Sequence, residues 1–201
     1  HVFSLFKHLT NKKITEVYCH LNIYIKKRPS TDFRGDFAKK PEINKDAIFV
    51  ENETDDKAIT LFKFEDNGLG IVETSRVSTG NKNDIKFTLT GNKGALRFSN
   101  DRLNEIQFYD NADKETLRGF KKIEMGPFNH NFAMFHPIAG LGLGHHDFKV
   151  LELKNIIEAI AYDKDAYPNF KWGAEIQLLV DSAIRSSKEN RWVKTAEFLK
   201  A

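Results

Sequence analysis

The side chains best suited to chemistry in this sequence lie in a few short stretches. Around a turn-forming Gly80, the segment from Arg76 to Asn83 gathers Arg76, Asn81, Lys82 and Asn83. Their amide, ammonium and guanidinium groups donate hydrogen bonds and their amide oxygens accept them, which suits the hydroxyls of a sugar or polyol. An ordinary exposed turn has the same composition, and that alternative stays open. Further on, "GLGHHD" sets His145 and His146 at a helix start, where imidazoles can bond a substrate hydroxyl. A plain loop is one alternative there. A metal site with Asp147 is another, but adjacent histidines rarely converge on one ion and no distant third ligand stands out. His1 heads a helical pattern, and an imidazole of unperturbed pKa near ~6.5 is suited to moving a proton at neutral pH. Cys19, between Val17 and Leu21, reads as a small buried hydrophobe and not a nucleophile. His8, His20, His130 and His136 are given no role, and Trp172 and Trp192 read as core or interface anchors.

The elements that must position these groups follow from periodicity. Val2, Leu5, Phe6 and Leu9 make the apolar stripe of a helix. "ITEVYCHLNIYI" alternates, with Val17, Cys19, Leu21, Ile23 and Ile25 on one face. Its other face, Tyr18, His20, Asn22 and Tyr24, is polar and aromatic, a surface that suits a second copy in a symmetric oligomer. From Arg28 to Asn52 the chain reads as a long irregular loop. "KAITLFKF", "LGIVETSRV", "DIKFTLT", "ALRF", "EIQFY" and "FKKIEM" are strands joined by Gly/Asn turns, an antiparallel meander.

A Gly/Pro/His-rich loop follows. Asp147 is the expected N-cap of a helix striped by Val150, Leu153, Ile157 and Ile160. Ile176, Leu179, Val180, Ala183 and Ile184 stripe the last helix, and "RWVKT" reads as a closing strand. Strands in the middle and helices at the ends give an α+β class: an open, mostly antiparallel sheet with helices packed on one face, forming one domain over residues 1–201. "GLGLGHH" has no preceding strand or βαβ context, so no dinucleotide-binding motif is assigned.

Composition narrows the function classes. The 31 basic and 28 acidic residues leave a formal charge of only +3, which argues against a nucleic-acid binder. No apolar run reaches the roughly 20 residues of a membrane span. One cysteine fits a reducing compartment, so a cytoplasmic location is expected.

Several stretches together resemble one family. "NGLGIVETSRVSTGNKNDIKFTLTGNKGALRFSNDRLNEIQFYD", "FKVLELKNIIEAIAYDKDAYPNFKWGAEIQLLVDSAIRSS" and "ENRWVKT" look like the C-terminal domain of the Gfo/Idh/MocA oxidoreductases, NAD(P)-dependent sugar and inositol dehydrogenases and their relatives. The resemblance implies a fold like the C-terminal domain of glyceraldehyde-3-phosphate dehydrogenase. It implies NAD or NADP, bound mainly by an N-terminal Rossmann domain outside this chain, and a sugar or polyol substrate. It implies a dimer or tetramer formed through the sheet. "HVFSLFKHLT" is similar to the family's Asp-x-x-x-His helix starting at its histidine, which makes His1 the implied catalytic residue. The substrate-lining turn implied is that of Arg76, Asn81, Lys82 and Asn83. Many members carry Asp three residues after the histidine. Ser4 stands there in this chain, a departure that also leaves open a non-catalytic scaffold or sugar-binding module of the same fold.

Overall fold

In the computed structural model, which describes residues 1–30, 48–135 and 137–198, the opening stripe forms helix α1 (Val2–Thr10). It ends at Asn11, whose left-handed backbone (φ 47°) returns its N–H to the Lys7 carbonyl. Strands β1 (Ile14–Asn22), β2 (Lys27–Pro29), β3 (Phe49–Glu51), β4 (Lys57–Phe64) and β5 (Leu69–Ser75) follow. Then come β6 (Lys86–Thr90), β7 (Gly94–Ser99), β8 (Glu105–Asp110) and β9 (Lys121–Glu124). Helices α2 (His130–Ala133), α3 (His145–Ala161) and α4 (Phe170–Glu189) and strand β10 (Val193–Lys194) complete the chain. The class is α+β, and every strand pair among the described residues is antiparallel. The chain divides into two units, His1–Thr79 with Pro168–Ala201, and Gly80–Tyr167.

The first unit is built on a sheet of order β10-β1-β4-β5. Alternation sends Val17, Cys19, Phe62 and Val72 inward, where they are buried with Leu179 and Ala183 of α4. Helix α1 adds aromatic weight to that core. Phe3 meets Phe62 edge-on with centroids 5.0 Å apart, and Phe6 stacks on Phe62 at 5.0 Å and on Phe64 at 5.6 Å. Gly70 lets the Phe6 ring lie against β5: a Cβ there would stand 2.0 Å from the ring. The stripe of α4 is rotated from the expected one. Leu179, Ser182, Ala183 and Ser186 are buried, and Ile184 is 39% exposed. The reason is a matter of hydrogen bonds. β10 covers β1 only at Glu16 and Val17, so the Cys19 and Leu21 N–H groups have no strand beside them. They donate instead to Ser186 Oγ at 2.9 Å and Ser187 Oγ at 3.0 Å.

The expected loop from Arg28 to Asn52 begins and ends in structure. β2 and β3 pair in register Lys27↔Glu51, Arg28↔Val50 and Pro29↔Phe49. Strands of three residues are too short to show a period. Residues 31–47 lie outside the described residues. β1 stops at Asn22, earlier than its alternation reads, because the chain turns onto a buried Asp56. The Asp56 carboxylate accepts from Tyr24 N at 2.9 Å, Ile25 N at 2.8 Å and the Arg28 guanidinium. Those donors lower its pKa from the usual carboxylate value, the backbone N–H of Ile25 foremost. Tyr24 therefore lies beyond the strand and off the sheet face assigned to it.

In the second unit, β6-β7-β8-β9 form a meander in sequence order. Phe87 and Phe98 stack at 5.4 Å across the first pair. The Asn104 side chain fastens the Gly-rich loop to this sheet: it donates to the Leu143 carbonyl at 3.0 Å and accepts the Leu143 N–H at 2.6 Å. Helix α3 starts at His145, so Asp147 is not its N-cap. From the third helical position, Asp147 reaches back to accept the Gly144 N–H at 2.7 Å. The α3 stripe is helical as expected, yet α3 buries none of its residues, and Val150, Leu153, Ile157 and Ile160 are 53–77% exposed. Periodicity fixes the helix; it does not fix what the helix meets.

Candidate functional site

His1 is the N-cap of α1, and its carbonyl accepts the first helical bond, from Leu5 N at 2.9 Å. Its side chain makes no cap bond, and the residue is exposed. It precedes a helix that packs on the core through the Phe3 and Phe6 rings.

Arg76 stands one residue past β5 in the same unit, with an exposed side chain. Its backbone is fixed by a bond from Arg76 N to the Asp56 carbonyl at 2.8 Å. Asp56 therefore ties together the end of β1, the start of β2 and the base of the Arg76 turn. Sequence reading gave Asp56 no role, because an acidic pair before a strand carries no period and its partners are distant in sequence.

Asn81, Lys82 and Asn83 lie in the second unit and are all exposed. Asn83 has a left-handed backbone, φ 47°, a conformation Asn tolerates. The Asn100 side chain clamps this turn: its Nδ2 donates to the Asn83 carbonyl at 2.7 Å and its Oδ1 accepts from Ile85 N at 3.0 Å. The turn is therefore set by side-chain bonds while its own side chains stay open to a ligand. Asn100 was not legible as its support.

His145 and His146 occupy the first turn of α3, both exposed, with ring centroids 6.3 Å apart and planes at 68°. Among the described residues, no three His, Cys, Asp or Glu side chains converge as metal ligands. His1 and Arg76 thus belong to the first unit, and Asn81, Lys82, Asn83, His145 and His146 to the second.

A family model described as "Oxidoreductase family, C-terminal alpha/beta domain", that of the Gfo/Idh/MocA proteins, matches residues 1–195. The chain belongs to this family. Levoglucosan dehydrogenase of Pseudarthrobacter phenanthrenivorans is 30% identical over 141 residues, which is 70% of this chain and 36% of that protein. A solved NAD binding oxidoreductase from Klebsiella pneumoniae is 29% identical, with a TM-score of 0.84 over 97% of this chain and 48% of its own. A levoglucosan dehydrogenase in complex with NADH and levoglucosan is 26% identical, with a TM-score of 0.84 over the same shares, 97% and 48%. The Gfo/Idh/MocA chain described here thus spans less than half the length of these relatives.

The described strands offer no parallel βαβ unit, and the glycines before α3 follow no strand.

Proposed function

We propose that residues 1–201 are the substrate-binding and oligomerisation domain of an NAD(P)-dependent dehydrogenase. The whole protein transfers a hydride between a nicotinamide and a secondary hydroxyl or keto group of a sugar or cyclitol. One observation carries this reading: the oxidoreductase C-terminal-domain family model matches residues 1–195. The sugar-dehydrogenase relatives support the substrate class.

The nicotinamide supplies the redox step and takes the hydride. This chain supplies the rest. His1 removes the hydroxyl proton as the carbonyl forms, and returns it in the reverse direction. Arg76, Asn81, Lys82, Asn83, His145 and His146 hold the remaining hydroxyls. The dinucleotide is held by segments outside this chain, so the chain alone binds no nucleotide and turns nothing over. The protein is cytoplasmic.

Assembly is through the outer face of the β10-β1-β4-β5 sheet. Tyr18 bonds Asn190 Oδ1 at 2.9 Å and lies 5.7 Å from the Trp192 ring, and His20 is exposed beside them. The same face carries Ile59, Leu69 and Ile71, exposed by 40%, 70% and 70%. Aliphatic and aromatic groups in one patch are what a self-complementary interface buries.

The test is the full-length protein assayed for NADH formation with levoglucosan and a panel of pyranoses and cyclitols. His1→Ala should cost about 10²–10⁴-fold in kcat with cofactor affinity little changed. Near-normal turnover defeats the assignment. Light scattering of the same sample reads the assembly, and a monomer refutes the interface.

A further inference from the structure

Helix α1 is held on two sides by tertiary contacts. Its apolar side is held by the Phe3 and Phe6 rings. Its other side is held by the start of α4. There the Asn169 side chain caps the helix by accepting from Trp172 N at 3.0 Å, which fixes the Trp172 backbone. The Trp172 indole Nε1 donates to Ser4 Oγ at 2.8 Å. Lys7 Nζ lies 4.1 Å from the centroid of the same ring and pairs with the Glu175 carboxylate. The Lys7 side chain is only 16% exposed, and burial lowers its pKa. Ser4 and Lys7 are one turn apart on α1, as Trp172 and Glu175 are on α4, so two adjacent rows lock together. Ser4 is itself one turn beyond His1.

We infer that Trp172 is a positioning residue for His1: its indole N–H bond to Ser4 fixes the α1 turn that follows His1 and the direction from which the imidazole meets the substrate hydroxyl. This rests on the reading of His1 as the proton-transfer group. A base must lie within hydrogen-bond reach of its proton, and a misplacement of about 1 Å costs up to ~10²-fold in rate. Ser4 also explains its own identity here. Its hydroxyl is spent as the acceptor of an indole N–H, a role within the protein and not toward a ligand.

The test uses the full-length protein with NAD⁺ and levoglucosan, or the member of the sugar panel turned over fastest. Trp172→Phe keeps an aromatic ring beneath Lys7 and removes the N–H donor. It should lower kcat about tenfold while leaving KM within about two-fold. Ser4→Ala should match it, and the double variant should lose no more than either single one, since one bond is removed in each case. In the His1→Ala background, Trp172→Phe should change nothing further. Hydrogen exchange across Val2–Thr10 should quicken in Trp172→Phe. Wild-type kcat in Trp172→Phe beside a crippled His1→Ala overturns the positioning role and leaves the His1 reading intact. So do additive losses, or unchanged exchange. Wild-type turnover in His1→Ala fails the underlying reading first and the inference with it.

Discussion

Ser186→Ala tests how α4 closes the open edge of β1. Ser186 is fully buried at 0% exposure, and Cys19 beside it is 2% exposed. Ser186 Oγ accepts the Cys19 N–H at 2.9 Å and donates to the Arg191 carbonyl at 2.6 Å. Alanine leaves a donor and an acceptor without partners. A stranded buried group costs about 1–3 kcal/mol. The Cys19 N–H is sealed from water and incurs that cost in full. The Arg191 carbonyl belongs to a half-buried residue and recovers part of its loss from solvent. The sum is about 2–4 kcal/mol, a large share of the ~5–15 kcal/mol that holds a typical domain. Ser187→Ala is the internal comparison. It breaks the same kind of bond, to Leu21 N at 3.0 Å, but between half-buried residues, and should cost about 0.5–1.5 kcal/mol. Urea unfolding followed by circular dichroism gives both values, and native-state hydrogen exchange reads the Cys19 amide directly. If Ser186→Ala costs no more than Ser187→Ala, or the Cys19 amide keeps its protection, the edge-closing account is wrong.

Other outcomes follow from the same unit. Glu197 accepts from the two terminal Arg191 guanidinium nitrogens, at 3.1 and 2.9 Å, and from the Lys194 N–H at 3.0 Å. The Arg191 bond is the largest cause holding its carboxyl down to about 2. Unfolded, it titrates near ~4.3. A depressed carboxylate stabilises the fold fully above its unfolded pKa and loses that contribution as pH falls through the folded value. Wild-type urea midpoints should therefore drop between pH ~4.3 and about 2, and Glu197→Gln should start lower at neutral pH and be flatter across that window. Equal slopes remove Glu197 from the account. Gly70→Ala puts a methyl into the Phe6 ring, 2.0 Å from its nearest atom, so Phe6 must leave its stack on Phe62 and Phe64. The expected cost is about 1–3 kcal/mol, a fall in Tm of about 3–10 °C by calorimetry. An unchanged Tm means that the ring relaxes freely and that α1 is not seated by it.

How far the sequence could be read depended on the range of the signal. Alternation and Gly/Asn turns located β1 and β4 to β9, because strand faces and hairpins are local. The i, i+3, i+4 spacing located α1, α3 and α4. The β2–β3 ribbon was missed, since three residues cannot display a period. The α4 stripe was misplaced by a residue or two, since Ser182 and Ser186 read as polar and are buried for the sake of an unpaired strand. His1 was reached only through a family resemblance; nothing in its neighbours marks it. Trp172 was read only as an anchor, and the bonds that Asp56, Asn100, Asn104 and Trp172 make were not foreseen for a common reason. Their bonds run to Ile25, Asn83, Leu143 and Ser4, and no local pattern announces a partner across the chain.

These long-range bonds give α4 two separable duties. Its first turns, through Trp172 and Glu175, hold the helix that carries His1. Its last turns, through Ser186 and Ser187, complete the hydrogen bonding of β1. The duties draw on different side chains some four turns of helix apart, and the α1 rings join them only through the shared aromatic core. Perturbing the last turns should therefore lower stability while sparing kcat. Perturbing the first should lower kcat with a smaller effect on stability. A helix that merely packed as one rigid rod would move both together, and comparing Ser186→Ala with Trp172→Phe in both assays separates the two descriptions.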